Sequence, residues 1–256
     1  MPLMPPGCAM KAISPSLPLR PFGEAPDLDV DFSASDRPAL VSAVLARCCP
    51  LPDPDHWWQQ PVGARTAALL HLVGVTDGAS DLLMRSSCMD AACGAAFEFA
   101  LPLAALPQAA SVSDPVTIEL SGGRTIRLRL PTGDDLRRWR AAHPASRAEA
   151  VGLMLATLLL EGDAGPADEA ELSAALAELD PMVDFTVECP CPACGASNEV
   201  VLDLEALALS RLAARQTALL LQVHRCARHY GWTEAQVLAV PPARRARYLA
   251  LIEDER

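Results

Sequence analysis

Aromatic residues are scarce. Phe, Trp and Tyr make up 4% of 256 residues, although half of the chain is hydrophobic. A core poor in rings is packed with small aliphatic side chains, and the dominance of Ala and Leu favours a helix-rich protein. No apolar run approaches the roughly 20 residues that a membrane-spanning helix needs; a long one, VGLMLATLLLEG at 151–162, falls well short. The opening stretch MPLMPPGCAMKAISPSLPLRPFG is broken by proline and has no continuous apolar segment, so no secretory signal is expected. Positive charge is also lacking. The formal net charge is −11 and the sequence pI about 4.9, which argues against a protein that wraps nucleic acid.

Catalytic constellations are missing as well. A cysteine nucleophile needs a nearby histidine and an orienting group. The five histidines, His56, His71, His143, His224 and His229, show no such pairing with a cysteine motif. HLVGVTDGAS lacks the Gly-Lys-Ser/Thr end of a phosphate loop. The carboxylates of GDD at 133–135 suit a helix N-terminus, where the macrodipole favours negative charge. No enzyme and no small-molecule substrate are expected.

What the chain does have is one phrase written twice. RSSCMDAACGAAFEFALPLAAL at 85–106 and TVECPCPACGASNEVVLDLEAL at 186–207 align at an offset of 101. Cys88 then faces Cys189, Cys93 faces Cys194, Gly94 faces Gly195 and Glu98 faces Glu199. Leu101, Leu103 and Leu106 face Leu202, Leu204 and Leu207. We read this as an internal duplication. In the second copy CPACG is a compact turn carrying two thiolates, with Gly195 letting the backbone fold back. A structural zinc ion wants four ligands, and the first copy supplies the other two. The expected set is Cys88, Cys93, Cys191 and Cys194, with Asp90 and Cys189 as alternates, because Asp90 stands opposite Cys191 and breaks the first Cys-x-x-Cys. Nine cysteines without a signal imply a reducing compartment, where clustered thiols hold metal more often than they form disulfides. A thiol oxidoreductase built on CPAC is disfavoured, since no βαβ pattern surrounds it. Cys8, Cys48, Cys49 and Cys226 have no comparable spacing and read as buried or idle thiols.

The expected fold is α+β: mostly helical, with a small zinc-ribbon-like β element made from the duplicated knuckle and strand, then a long C-terminal helix and helical tail. Residues 1–36 read as a flexible Pro-rich arm and 37–87 as an N-terminal helical region. Residues 88–207 read as the duplicated core, with a hairpin at 116–130 turning at Gly122-Gly123 and helices across 146–180, the first of them mostly buried. Residues 204–256 read as the C-terminal helical tail.

The stretches FTVECPCPACGASNEVVLDLEAL and VHRCARHYGWTEAQVLAVPPARRARYLALI, with LRLPTGDDL at 128–136 and LAELDPM at 176–182, resemble the baseplate hub assembly proteins of T-even-type contractile phage tails. Relatives of that family occur in phage-tail-like contractile injection systems. The resemblance covers roughly residues 85–252. It implies a structural or chaperone-like protein, with baseplate, hub or tail proteins as partners. It also implies a place in the cytoplasm during assembly, or with the assembled particle. Members typically carry Cys-x-x-Cys-Gly knuckles, and the first is altered here. Aromatic and arginine side chains make good interface anchors, so Trp57, Trp58, Trp232, Arg244, Arg245, Arg247 and Tyr248 are the expected partner contacts. The alternative is a zinc-ribbon regulator that binds nucleic acid through its arginine-bearing tail.

Overall fold

A computed structural model describes residues 18–107 and 115–254. Its described residues form an α+β architecture. In chain order they give helices α1 (Arg37–Cys48), α2 (His56–Gln59) and α3 (Val62–Asp77), then strands β1 (Asp81–Ser87) and β2 (Ala96–Pro102). Strands β3 (Val116–Leu120) and β4 (Arg124–Leu128) precede helices α4 (Gly133–Ala142) and α5 (Arg147–Leu158), strand β5 (Leu159–Glu161) and helix α6 (Glu169–Leu179). Strands β6 (Phe185–Pro190) and β7 (Ser197–Leu202) lead into α7 (Leu204–Tyr230), α8 (Glu234–Ala239) and α9 (Pro242–Asp254). The strands make three small antiparallel sheets: β1-β2, β3-β4-β5 and β6-β7.

The main core lies where α3 and α7 pack together with α1 alongside. Leu69, Leu70, Leu72 and Val73 of α3 and Leu204, Ala208, Leu209 and Leu212 of α7 are all buried in it. Each such leucine contributes about 1.5–3 kcal/mol of burial. Helix α3 runs directly into β1, and β7 runs directly into α7 through Asp203, whose side chain caps that helix at the Ala206 N–H. The two hairpins are therefore rooted on one helix pair. Leu82, Leu101 and Leu202 enter the same core, and Arg211 of α7 donates to the Leu83 carbonyl of β1 at 2.6 Å.

Several expectations need correction. Residues 18–36, expected in the flexible arm, pack against the body. Phe22 and Val30 are buried, and the Asp27 carboxylate accepts from both Arg20 guanidinium nitrogens and from the Gly23 and Glu24 amides. Residues 1–17 of that expected arm lie outside the described residues. The first knuckle hairpin begins at Asp81, inside the region expected to be helical. Residues 146–162 do not form one mostly buried helix. α5 buries only Leu158, with Leu155 half-buried against the β3-β4 core and Met154 exposed, and the chain then becomes an edge strand on β4.

A polar contact ties α6 to this frame. The Asp180 carboxylate is buried and accepts the Gly63 N–H at 2.9 Å, in the first turn of α3, where the helix dipole favours an anion. A Cβ at Gly63 would lie 1.8 Å from Asp180 Oδ1. Gly63→Ala is therefore expected to destabilise the fold by about 2–4 kcal/mol, since neither the buried carboxylate nor the helix end can withdraw cheaply. Chemical denaturation of the variant checks this, and wild-type stability would contradict it.

Candidate metal centre

Each hairpin carries a cysteine loop at its tip. In the first, the Cys88 N–H donates to the Ala95 carbonyl at 2.9 Å; in the second, the Cys191 N–H donates to the Ala196 carbonyl at 2.8 Å. Gly94 and Gly195 follow the second cysteine of each loop with φ of 54° and 76°, the left-handed region that glycine enters without cost. These matching bonds reset the alignment of the two copies. On the outgoing strands the offset is 101, as Phe97 matches Asn198; on the incoming strands it is 103, as Ser86 matches Cys189 and Cys88 matches Cys191. The first loop is two residues longer. Cys189 is thus not the counterpart of Cys88.

The four sulfurs of Cys88, Cys93, Cys191 and Cys194 all lie within 4.8 Å of one another, close enough to hold one metal ion. Across the hairpins, Cys88 Sγ stands 3.6 Å from Cys194 Sγ, and Cys93 Sγ stands 3.9 Å from Cys191 Sγ. Both separations are far beyond the about 2.05 Å of a disulfide. The alternates fall outside the cluster for separate reasons. Asp90 shapes its own loop: its carboxylate accepts the Ala92 N–H, and its carbonyl accepts the Cys93 and Gly94 amides. Cys189 is buried at the position of Ser86, with its sulfur against the Asn198 carbonyl.

Neighbouring main-chain amides favour the ionised form of the sulfurs. Cys191 receives the N–H groups of Cys194 and Ala193, which with its S–H neighbours lower its pKa to about 7. The Asp90 amide favours the Cys88 thiolate, but burial and the thiols of Cys194, Cys191 and Cys93 outweigh it and push that group up to about 12. The Ala95 amide acts likewise at Cys93, which its neighbours still shift upward. Without a cation the cluster thus favours one thiolate among neighbouring thiols. A bound cation would displace the remaining protons.

Asn198 was not singled out in the sequence, yet it locks the loops together. It is buried; its Oδ1 accepts the Met89 N–H at 2.7 Å, and its Nδ2 donates to the Ala196 and Cys189 carbonyls at 2.9 and 3.3 Å. Met89 sits in the longer first loop, so the extra length lets that loop reach its partner. The signal was an Asn replacing the apolar Phe97 of the other copy at an inward strand position.

The expected partner contacts divide. Trp57 is 3% exposed and belongs to the main core, and Trp58 is half-buried with its ring beneath the guanidinium groups of Arg137 and Arg65 at 4.7 and 5.4 Å. Both were expected as partner contacts; on the short helix α2 Trp57 turns into the core and Trp58 is half-covered. Trp232, half-buried, stacks on Tyr230 and meets Tyr248 edge-on, each at 4.9 Å. Arg245 is buried and donates to the Val237 carbonyl, so it cannot act as a surface anchor. Arg244 and Arg247 are exposed. Cys48, Cys49 and Cys226 are buried, and burial pushes Cys48 up to about 12.

No protein-family model matches this chain, and no curated protein or solved structure gives a significant match.

Asn198→Ala would remove the acceptor of the Met89 amide and a donor to the buried Cys189 carbonyl, while the half-buried Ala196 carbonyl keeps the Cys191 N–H. It is expected to cost about 1–3 kcal/mol in thermal or denaturant unfolding. An unchanged midpoint would show that the loops meet without this clip.

Proposed function

We propose that Cys88, Cys93, Cys191 and Cys194 hold one structural zinc ion in a zinc-ribbon-like staple, and that the protein is a non-enzymatic assembly factor of a contractile tail baseplate. The observation that carries the metal reading is the convergence of four thiols from two hairpins a hundred residues apart. A Zn–S bond of about 2.3 Å sets the edge of a four-sulfur tetrahedron at about 3.8 Å. The two cross-hairpin separations of 3.6 and 3.9 Å straddle that value. An all-thiolate set in a reducing environment selects zinc over magnesium or calcium, which take oxygen ligands. The Cys194 and Ala193 amides favour the ionised form of Cys191.

The assembly role rests on the resemblance of the second knuckle and the tail to baseplate hub assembly proteins. In this reading the metal acts through shape, fixing two hairpins relative to the helical body and presenting them to partners.

The test is reconstitution with the sheath, tube and baseplate genes of a contractile system, with assembled baseplates counted by electron microscopy. Cys191→Ser/Cys194→Ser is expected to lose zinc and to reduce baseplates at least about tenfold. Normal assembly without the protein would overturn the assembly role. Full zinc content in the double variant would overturn the four-thiolate staple.

A further inference from the structure

The two copies of the hairpin carry different charges at an exposed cross-strand pair. In the first, Arg85 and Glu98 stand opposite each other and form an ion pair at 2.7 Å. The matching pair in the second is Glu188 and Glu199, two exposed carboxylates directly across the ladder. Among the described residues neither has a cationic partner. Like charges in this register repel, so the outer face of β6-β7 stands to gain from an external cation.

Beside that pair the surface turns apolar. Val201, two residues along β7, is 69% exposed, and Val183, just before β6, is 53% exposed. Both border a cleft of about 270 Å³, whose walls include Leu136, Met182 and Phe185. The cleft's arginine, Arg37, is already engaged with Asp203 and Glu205. This face therefore calls for an aliphatic side chain flanked by positive charge.

The chain itself carries such a segment. Seven arginines and one acidic residue lie between 208 and 252, followed on α9 by Glu253, which pairs with Arg225, and by Asp254, in a chain of formal net charge −11. On α9, Arg245 and Ile252 turn inward, while Arg244, Arg247 and Leu251 are exposed at three- and four-residue spacings that share one helix face. Leu251 is 53% exposed, and neither Arg244 nor Arg247 forms an ion pair among the described residues. The spacings also match. Arg247 and Leu251 are separated by about 6 Å along a helix, and Glu199 and Val201 by about 7 Å along a strand.

We infer that the outer face of β6-β7 is a docking site for α9 of a second copy of this chain, with Leu251 over Val183 and Val201 and with Arg244 and Arg247 over Glu188 and Glu199. The contact joins two different surfaces, so it propagates head to tail, giving chains or closed rings of copies. It depends on neither the zinc nor the baseplate reading.

Sedimentation velocity of the full chain over a concentration series, at about 50 and about 500 mM salt, tests this. Wild type is expected to associate at low salt and to dissociate at high salt. Glu188→Arg/Glu199→Arg and Arg244→Glu/Arg247→Glu are each expected to weaken association about tenfold or more, and mixing the two double variants to restore it. Both pairs of substitutions are on the surface, and circular dichroism confirms that the variants fold. A monomer under all conditions, or association that neither variant changes, would overturn the inference. So would a monomeric wild type whose arginine face instead retards duplex DNA.

Discussion

The packing of α3 against α7 governs the rest of the molecule. One helix delivers the first hairpin and the other receives the second, so burying their shared leucines sets where both hairpins start. The hairpin tips are then brought together by chain geometry, without a long-range search by the cysteines themselves. Two-stranded sheets are marginal alone. Here each is anchored at its base by the core and at its tip by contact with its twin, through four sulfurs and the buried Asn198. The cysteine cluster and the helical core thus support the same two hairpins from opposite ends.

Much of this was legible in the sequence because it is local. The turn at Gly122-Gly123, the helix start at the carboxylates of 133–135 and the long C-terminal helix follow from short-range chemistry. The duplication was legible too, and with it which four cysteines lie together. Harder to read was anything set by tertiary contact. Trp57 and Trp58 sit in a Pro-rich stretch and were expected as partner contacts, but the core takes one and two arginines cover the other. Arg245 reads as part of a basic stripe, yet helix phase turns it inward beneath α8. The two-residue slip between the copies was hidden because Cys88 and Cys189 also coincide at the simpler offset. Only the hydrogen bonds of the loops distinguish the true counterpart, Cys191.

The two halves differ in ways that fit together. One loop is two residues longer and offers the Met89 amide across the pair; the other carries Asn198, which accepts it. One outer face has an Arg–Glu pair, and the other exposes two glutamates. The loops of the pair bind each other, and the outer faces differ in charge.

The central claim is that two half-sites complete one four-thiolate zinc centre. X-ray absorption at the zinc edge, on protein purified under reducing conditions, addresses it most directly. The account predicts a single shell of four sulfur scatterers at about 2.3 Å. A shell with two sulfurs completed by oxygen or nitrogen would mean that the second knuckle binds without the first, and would contradict the account.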